Sequence, residues 1–160
     1  MGVKIISFEN KYLERIIEIT VASWQPIYDG YKAVMGDKMF NDLHGDWKER
    51  KCNHVCAGIT SGRGYVALLD GKVAGFIFYS INELKKTGII EENAVDPNFR
   101  GLGISGKMYD FVLDKMRSEG MVYSMVTTGL DNAHLGARKA YAKVGFNKSI
   151  ESVNYYMELF

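Results

Sequence analysis

The stretch Asn93-Ala94-Val95-Asp96-Pro97-Asn98-Phe99-Arg100-Gly101-Leu102-Gly103-Ile104-Ser105-Gly106-Lys107 combines the end of a strand, a glycine-rich turn and the start of a helix. Asp96-Pro97 stops the strand, because proline has no N–H to donate to a ladder. Apolar residues then recur at helical spacing: Ile104, Met108, Phe111, Val112 and Met116. Such a turn directs unpaired N–H groups and the positive end of the helix dipole to one point, which suits a phosphate. The alternative is an ordinary strand-to-helix turn.

Two nucleotide-binding motifs do not fit this stretch. Gly101-x-Gly103-x-x-Gly106 matches the spacing of the dinucleotide fingerprint, but that motif requires an early βαβ unit and an acidic residue at the end of the next strand. The next predicted strand, residues 121–128, ends in Thr-Thr-Gly. The lysine-bearing nucleotide loop requires Ser or Thr after its lysine, and Lys107 is followed by Met108.

From Val95 to Gly103 the sequence closely resembles the pyrophosphate loop of the GCN5-related N-acetyltransferase (GNAT) superfamily, Val-x-Pro-x-(Phe/Tyr)-Arg-Gly-x-Gly. A second stretch, Ala137 to Phe146, resembles the Ala-x-x-x-Tyr-x-Lys-x-Gly-Phe helix that flanks the cofactor in that superfamily. The two motifs occur in the family's order with one predicted strand between them. Together they are a far more specific signal than either motif alone.

The resemblance implies the fold, the co-substrate and most of the site. It implies binding of acetyl-coenzyme A by Ala94, Val95, Arg100, Gly101, Leu102, Gly103, Ile104, Ser105, Gly106 and His134. It also implies an oxyanion donor in the backbone N–H near Val95 and a thiolate acid in Tyr141. Two positions depart from the family pattern: Ser105 replaces a small residue, and His134 replaces the asparagine that often stands beside the pantetheine arm.

A catalytic base is sought on the strand that precedes the loop. Counting back by twos from Val95 places Asn93, Glu91 and Ile89 on one face and Glu92 on the other. Family members carry their base at positions like Glu91 or Ile89, so Glu91 is the candidate. The alternative, that Glu91 is a solvated strand residue and water alone removes the proton, has equal weight.

The expected fold is a single α/β domain over residues 1–160, with helices on both faces of a mixed sheet. Asp70-Gly71 between residues 65–69 and 72–81 predicts a tight hairpin, and residues 88–95 are the third strand of an antiparallel meander. The meander passes into a parallel pair through residues 121–128. The first helix is predicted to end at Trp24-Gln25-Pro26, and alternation over residues 153–159 predicts a C-terminal strand.

Composition limits the function classes. Twenty basic and nineteen acidic residues give a net charge of +1, so no overall field attracts nucleic acid or a membrane. We predict a cytoplasmic protein, because no segment approaches the apolar length of a membrane span or a signal peptide. Cys52 and Cys56 with His54 make a poor metal site and are predicted to be partly buried packing residues.

The function predicted from the sequence is transfer of an acetyl group from acetyl-coenzyme A to a primary amine by direct attack in a ternary complex. The acceptor is a small molecule or a peptide amine, with no metal involved. A non-catalytic acyl-coenzyme A sensor or interaction domain is the alternative, since fold does not fix function. The oligomeric state stays open, although a homodimer is common among relatives.

Overall fold

The computed structural model describes residues 2–160. Its strands are β1 Val3–Ser7, β2 Gly64–Leu69, β3 Lys72–Asn82, β4 Thr87–Val95 and β5 Tyr123–Val126. Its α-helices are α1 Leu13–Met35, α2 Asp37–His44, α3 Trp47–Ile59, α4 Ile104–Ser118 and α5 Leu135–Lys143. Short 3-10 turns at Asn10–Tyr12, Pro97–Phe99 and Asn132–His134 precede α1, α4 and α5.

The five strands form one mixed sheet in the order β1-β2-β3-β4-β5. The first four are antiparallel neighbours, and β4 pairs with β5 in parallel. Asp70 and Gly71 both have positive φ, as a primed hairpin turn requires. The predicted meander and parallel pair are therefore confirmed.

Each face of the sheet is covered by helices. Ile104, Met108 and Val112 of α4 pack with Tyr79 and Ile90 in one core. The other core joins α1 and α3 to the opposite face of the sheet and contains Ile16, Ile19, Val55, Ile59, Phe76 and Phe78. This two-sided packing explains why β2 and β3 are nearly continuous apolar runs, since each residue meets a helix on one face or the other.

The predicted end of the first helix is wrong, because α1 continues through Pro26 to Met35. Pro26 is exposed, and the N–H that it lacks would have bonded to the carbonyl of Ala22, which is also at an exposed position that water can reach. The helical turns after Pro26 are stabilised by packing against another helix, since Tyr28 stacks on Trp47 of α3 with ring centroids 4.3 Å apart. Tertiary packing thus overrides the local preference of proline.

The predicted C-terminal strand is also wrong for this structure. Residues 147–160 form no regular element, and most side chains from Val153 to Leu159 are exposed. Alternating apolar residues favour an extended backbone, but a strand also needs a neighbouring strand to pair with. Within residues 2–160 this segment has none.

An ion pair on the α4 side ties the end of that helix to the sheet. Arg63 donates to the Glu119 carboxylate from Nε at 2.9 Å and from Nη2 at 2.8 Å, and the Tyr79 hydroxyl donates to the same carboxylate. The Arg63 guanidinium is the largest cause that lowers the pKa of Glu119. The carboxylate therefore stabilises the fold above its unfolded pKa, and the stabilisation is lost as the pH falls through the lower folded value.

We expect Glu119→Gln to lower the free energy of unfolding by about 1 kcal/mol at pH 7, a value discounted for partial exposure of both groups. The difference from wild type should shrink below the ordinary glutamate pKa of 4.5. Urea unfolding at pH 7 and pH 3 checks this, with the exposed Glu151→Gln as control. An equal loss of unfolding free energy at both pH values would show that the charge of Glu119 does not stabilise the fold.

Within residues 2–160, no helix has both the length and the apolar character needed to cross a membrane.

Candidate active site

A cleft of about 460 Å³ lies where α1, β4, the glycine-rich loop, the end of β5 and α5 meet. Its volume is in the range of small-molecule sites. Ten of the twelve predicted site residues line it: Glu91, Ala94, Val95, Arg100, Gly101, Gly103, Ile104, Ser105, His134 and Tyr141. Leu102 and Gly106 do not line it, and the Leu102 side chain is exposed to solvent.

The cleft exists because two parallel strands separate. β4 pairs with β5 only from Thr87 to Ile90, whereas β4 continues to Val95. The Asp96 N–H donates to the Ala74 carbonyl of β3 at 2.8 Å. Because N–H groups alternate along a strand, the Val95 N–H faces the other edge, which is the open side of β4. A backbone donor is thus directed into the gap.

One end of the cleft is formed by the N-terminus of α4. Gly101 and Gly103 have φ of +79° and +74°, a region in which side chains are strained. The Lys107 N–H is the first to bond back within the helix, to the Gly103 carbonyl at 3.3 Å. The N–H groups of residues 104–106 precede it and have no partner one turn earlier in the helix. With Arg100 beside them, they are the part of the cleft that is suited to hold an anion.

An ion pair between a buried carboxylate and a half-exposed arginine holds this loop against α1. Asp96 is 2% exposed, and its carboxylate pairs with Arg15 of α1 and accepts the Asn98 N–H at 2.8 Å. The side chain therefore caps the turn at residues 97–99 and anchors the loop to the opposite layer. Sequence reasoning identified Asp96-Pro97 only as a strand stop. The ion-pair partner, Arg15, lies 81 residues earlier, and no local pattern pointed to it.

The other end of the cleft contains a chain of hydrogen bonds among three side chains. The Tyr109 hydroxyl donates to Asn93 Oδ1 at 2.8 Å, and Asn93 Nδ2 donates to the Tyr141 hydroxyl oxygen at 3.0 Å. Tyr141 is 7% exposed, and its ring lies 4.9 Å from that of Tyr109. Since the Tyr141 oxygen already accepts, its own proton is free to be donated into the cleft. Sequence reasoning did not assign a role to Asn93 or Tyr109.

Burial raises the pKa of both phenols above their ordinary value. It is the largest cause that raises the pKa of Tyr141, although the hydrogen bonds with Asn93 and Tyr109 act in the opposite direction. Burial and the neighbouring Tyr141 also raise the pKa of Tyr109. At neutral pH the cleft therefore presents a protonated Tyr141, which can act as a donor and not as a base.

The two glutamates of β4 lie on the same face of the sheet, so the predicted alternation is wrong here. The register of β3 and β4 shifts at this point, since Phe78 pairs with Glu92 and Tyr79 with Ile90, which leaves Glu91 as the extra residue of a bulge. Glu92 pairs with Lys51 of α3 at 2.6 Å. Glu91 accepts a hydrogen bond from Ser80. The neighbours of Ser80 on β3, Tyr79 and Ile81, belong to the core on the α4 side, so Ser80 faces α1 and α3 on the opposite side of the sheet. Asn93 instead faces α4 and α5.

The two carboxylates differ in their partners. Glu92 Oε1 is 2.6 Å from Lys51 Nζ and 3.5 Å from His54 Nε2, and it is largely buried. Glu91 has only the neutral Ser80 hydroxyl as a described partner and is exposed at the rim of the cleft. Glu91 is therefore the carboxylate that is open to a ligand in the cleft, whereas the Glu92 carboxylate is occupied by Lys51.

His134 lies at the mouth of the cleft, immediately before α5. Its Nδ1 contacts the Asp131 carboxylate, which fixes the ring and leaves the other nitrogen without that partner. Arg138 holds the same turn by donating to the carbonyls of Gly129 at 2.7 Å and Asp131 at 2.9 Å. A positioned imidazole therefore stands where the family often has an asparagine.

The cysteines lie away from this cleft. Cys52 and Cys56 are partly buried in α3, as predicted, and burial raises the pKa of the Cys52 thiol. In the part of the chain that is described, no three His, Cys, Asp or Glu side chains are placed together to hold a metal ion.

The model of the acetyltransferase (GNAT) family matches residues 16–146, which is most of the chain. The chain therefore belongs to this family, and the resemblance drawn from the two motifs is confirmed.

Two curated proteins are similar to parts of this chain. The chain is 30% identical over 91 residues to N-acetylaspartate synthetase of Danio rerio, a match that covers 57% of this chain and 32% of that protein. It is 35% identical over 82 residues to an uncharacterized N-acetyltransferase of Archaeoglobus fulgidus, covering 48% and 54%. The chain thus spans well under two thirds of either relative.

The fold is similar to the crystal structure of the PaiA N-acetyltransferase from Thermoplasma acidophilum in complex with coenzyme A. The TM-score is 0.71 at 18% identity, and the similarity covers 95% of this chain and 94% of that chain. At this identity the comparison shows the fold.

Proposed function

We propose that this protein is an acetyl-coenzyme A-dependent N-acetyltransferase that acetylates a primary amine by direct attack. The observation that carries the proposal is the gap between β4 and β5. One end of the gap is an anion site at α4, and the other end holds the Val95 N–H and the Tyr141 hydroxyl. A phosphate grip, an oxyanion donor and a proton donor along one cleft are what acyl transfer from a thioester requires.

The residues that line the cleft take part in successive steps of the proposed transfer. The N–H groups at the start of α4 and Arg100 hold the pyrophosphate, and the thioester, when bound, supplies the activated acetyl group. The Val95 N–H donates to the carbonyl oxygen as it gains charge. Once the ammonium has lost one proton, the amine nitrogen bonds to the carbonyl carbon and the carbon–sulfur bond breaks, while Tyr141 donates a hydrogen bond to the departing sulfur. The second proton that the nitrogen loses ends on that sulfur, so the products are the amide and the free thiol.

Asn93 acts as a positioning residue in this proposal. The Tyr109 hydroxyl donates to its amide oxygen, so the amide nitrogen is the atom that faces Tyr141. That nitrogen can only donate, which compels the Tyr141 hydroxyl to direct its own proton elsewhere. The direction of the whole hydrogen-bond chain thus prepares Tyr141 as a donor.

The acceptor end is assigned to the α1 side of the cleft. Trp24 and Ile27 provide apolar surface there. The Ser23 hydroxyl lies beside them, shielded from solvent and with no hydrogen-bond partner among the described residues. A polar group of a bound acceptor would satisfy it. The exposed position of Glu91 at the rim, with Ser80 as its hydrogen-bond partner, supports a role for it in accepting the proton that the ammonium loses.

We expect Glu91→Gln to lower turnover by about 10- to 100-fold at neutral pH and by less at high pH, where more of the amine is already free. The pH–rate profile of kcat/KM tests this. Glu92→Gln is the matched control, because it removes the neighbouring carboxylate but leaves Lys51 unpaired. It should lower stability without changing the shape of the profile. A Glu91→Gln profile identical to that of wild type assigns the proton to water.

The alternative function, a non-catalytic acyl-coenzyme A sensor, requires only the anion end of the cleft. The ordered donor at Tyr141 favours the enzyme, since a sensor has no use for it. We further propose that residues 1–160 form one acetyltransferase domain, as the family match over residues 16–146 supports. Release of the free coenzyme A thiol from acetyl-coenzyme A, screened against a panel of small amines and peptides, tests the enzyme directly. Binding without release for every amine would favour the sensor.

A further inference from the structure

Asp96 connects the sheet, the glycine-rich loop and α1 through its polar groups. Its N–H donates to the Ala74 carbonyl of β3 at 2.8 Å, and its carbonyl accepts the Phe99 N–H at 2.8 Å. Its carboxylate accepts the Asn98 N–H through Oδ1 and pairs with Arg15 through Oδ2. The backbone groups and Oδ1 stay within the sheet and the loop, so the ion pair is the bond that reaches a helix.

The two carboxylates that pair with Arg15 differ in their exposure. Arg15 bonds to Glu18, one turn further along α1, through Nη1 at 2.6 Å, and the Glu18 side chain is more than half exposed. The Asp96 side chain is almost completely buried, and within residues 2–160 Arg15 is the only cation that forms an ion pair with it. A buried carboxylate needs a paired charge. Arg15 therefore allows an ionised Asp96 to stay inside the protein and cap the turn at residues 97–99.

Arg15 also belongs to the helix that forms the opposite wall of the cleft. Ser23 and Trp24, which line the cleft, lie roughly two turns further along α1. The ion pair thus fixes the glycine-rich loop relative to this wall. Backbone N–H groups bind a phosphate well only when they are already in position, because affinity is lost when binding has to order the loop first.

We propose that Arg15 is a positioning residue for the acetyl donor. Its ion pair with Asp96 holds residues 100–106 in the conformation that binds the pyrophosphate of acetyl-coenzyme A. Arg15 does not line the cleft, so it acts through Asp96 and the turn at residues 97–99. This inference rests on the proposed function, because it requires the pyrophosphate to lie at the start of α4.

Calorimetric titration of the full chain with coenzyme A is the first test. Arg15→Leu removes the ion pair and should weaken binding by about 10-fold. Arg15→Lys restores a cation beside Asp96 and should bind within about 3-fold of wild type, although lysine lacks the fork of donors that arginine offers to two carboxylates. Glu18→Gln is the matched control, since it removes the exposed partner of Arg15 and should bind as wild type does.

Kinetics show whether the effect is on donor binding or on chemistry. The KM for acetyl-coenzyme A should rise together with the Kd of coenzyme A across these variants. The kcat at saturating donor should change by less than about 2-fold, because Arg15 contacts neither the Val95 N–H nor Tyr141. A kcat that falls while KM and Kd stay constant would overturn the inference.

A double variant separates positioning from stability. Arg15→Leu leaves a buried carboxylate unpaired and should lower the melting temperature. In Arg15→Leu/Asp96→Asn no charge is left unpaired and the asparagine oxygen can still cap the turn, so most of the melting temperature should return. The link to α1 is absent in both variants. The double variant should therefore still bind coenzyme A about 10-fold more weakly than wild type.

The double variant gives a result even where Arg15→Leu does not fold. Wild-type affinity in the folded double variant would overturn the inference, because the ion pair would then contribute to stability alone. Affinity of Arg15→Lys as low as that of the double variant would also overturn it. Each of these outcomes leaves the proposed function intact, whereas failure of wild type to bind coenzyme A would overturn both.

Discussion

Ser105→Asp should weaken the binding of coenzyme A by about 100-fold or more. Ser105 is the second residue of α4 and lines the end of the cleft where the free N–H groups converge. Two like charges about 4 Å apart repel by about 4 kcal/mol near a protein surface, which exceeds the roughly 2.7 kcal/mol that corresponds to a factor of 100. Calorimetric titration with coenzyme A measures this loss.

The same substitution should not destabilise the protein without ligand. A carboxylate in the first turn of a helix interacts favourably with the dipole, by about 0.3 to 1 kcal/mol. Ser105→Asn is the matched control, since it has the same shape as the aspartate without its charge and should bind coenzyme A nearly as wild type does. Equal affinities for the Asp and Asn variants would show that the pyrophosphate does not lie at the start of α4. A valine at Gly103 is a weaker test, because φ of +74° would strain it whatever it contacts.

Tyr141→Phe should lower kcat by about 10- to 100-fold while coenzyme A affinity changes little. The substitution removes one hydroxyl and keeps the ring that packs against Tyr109 and Phe146. A loss of this size corresponds to about 1.4 to 2.7 kcal/mol of transition-state stabilisation. A larger effect is not expected, because the raised pKa of Tyr141 makes hydrogen-bond donation to the sulfur more favourable than complete proton transfer. Kinetics at saturating substrates, with chemistry shown to be rate-limiting, measure this.

The control for Tyr141 is Tyr79→Phe, another buried tyrosine whose hydroxyl donates to Glu119 outside the cleft. The Tyr79→Phe variant should have a lower free energy of unfolding than wild type and the same kcat. If Tyr141→Phe behaves in the same way as Tyr79→Phe, Tyr141 is a packing residue. Asn93→Leu tests the hydrogen-bond chain from Tyr109 through Asn93 to Tyr141 independently. It should lower turnover only if the direction of the Tyr141 proton matters for catalysis.

The sequence was sufficient where function depends on local pattern. The loop from Asp96 to Gly103 needs a strand stop, two positive-φ residues and a helix start, and each of these has a residue signature. The apolar stripe of α4 likewise follows from helical spacing alone. These features predicted the fold family and the glycine-rich turn into α4 correctly.

The sequence was insufficient where residues distant along the chain meet. Counting by twos failed at Glu91 because a bulge depends on the pairing with β3, which no local pattern reports. The donor chain through Asn93 joins β4, α4 and α5, so it appears only when three elements are packed together. The length of α1 depended on the contact of Tyr28 with Trp47, a tertiary interaction that outweighs Pro26.

The most direct test of the central claim follows the acetyl group itself. The protein is incubated with isotopically labelled acetyl-coenzyme A and the amine panel, and mass spectrometry locates the label. We predict that wild type places the label on the nitrogen of at least one amine and that Ser105→Asp forms about 100-fold less of this product at subsaturating acetyl-coenzyme A. Tight binding of coenzyme A by wild type with no labelled amine for any acceptor would contradict acetyl transfer in this cleft.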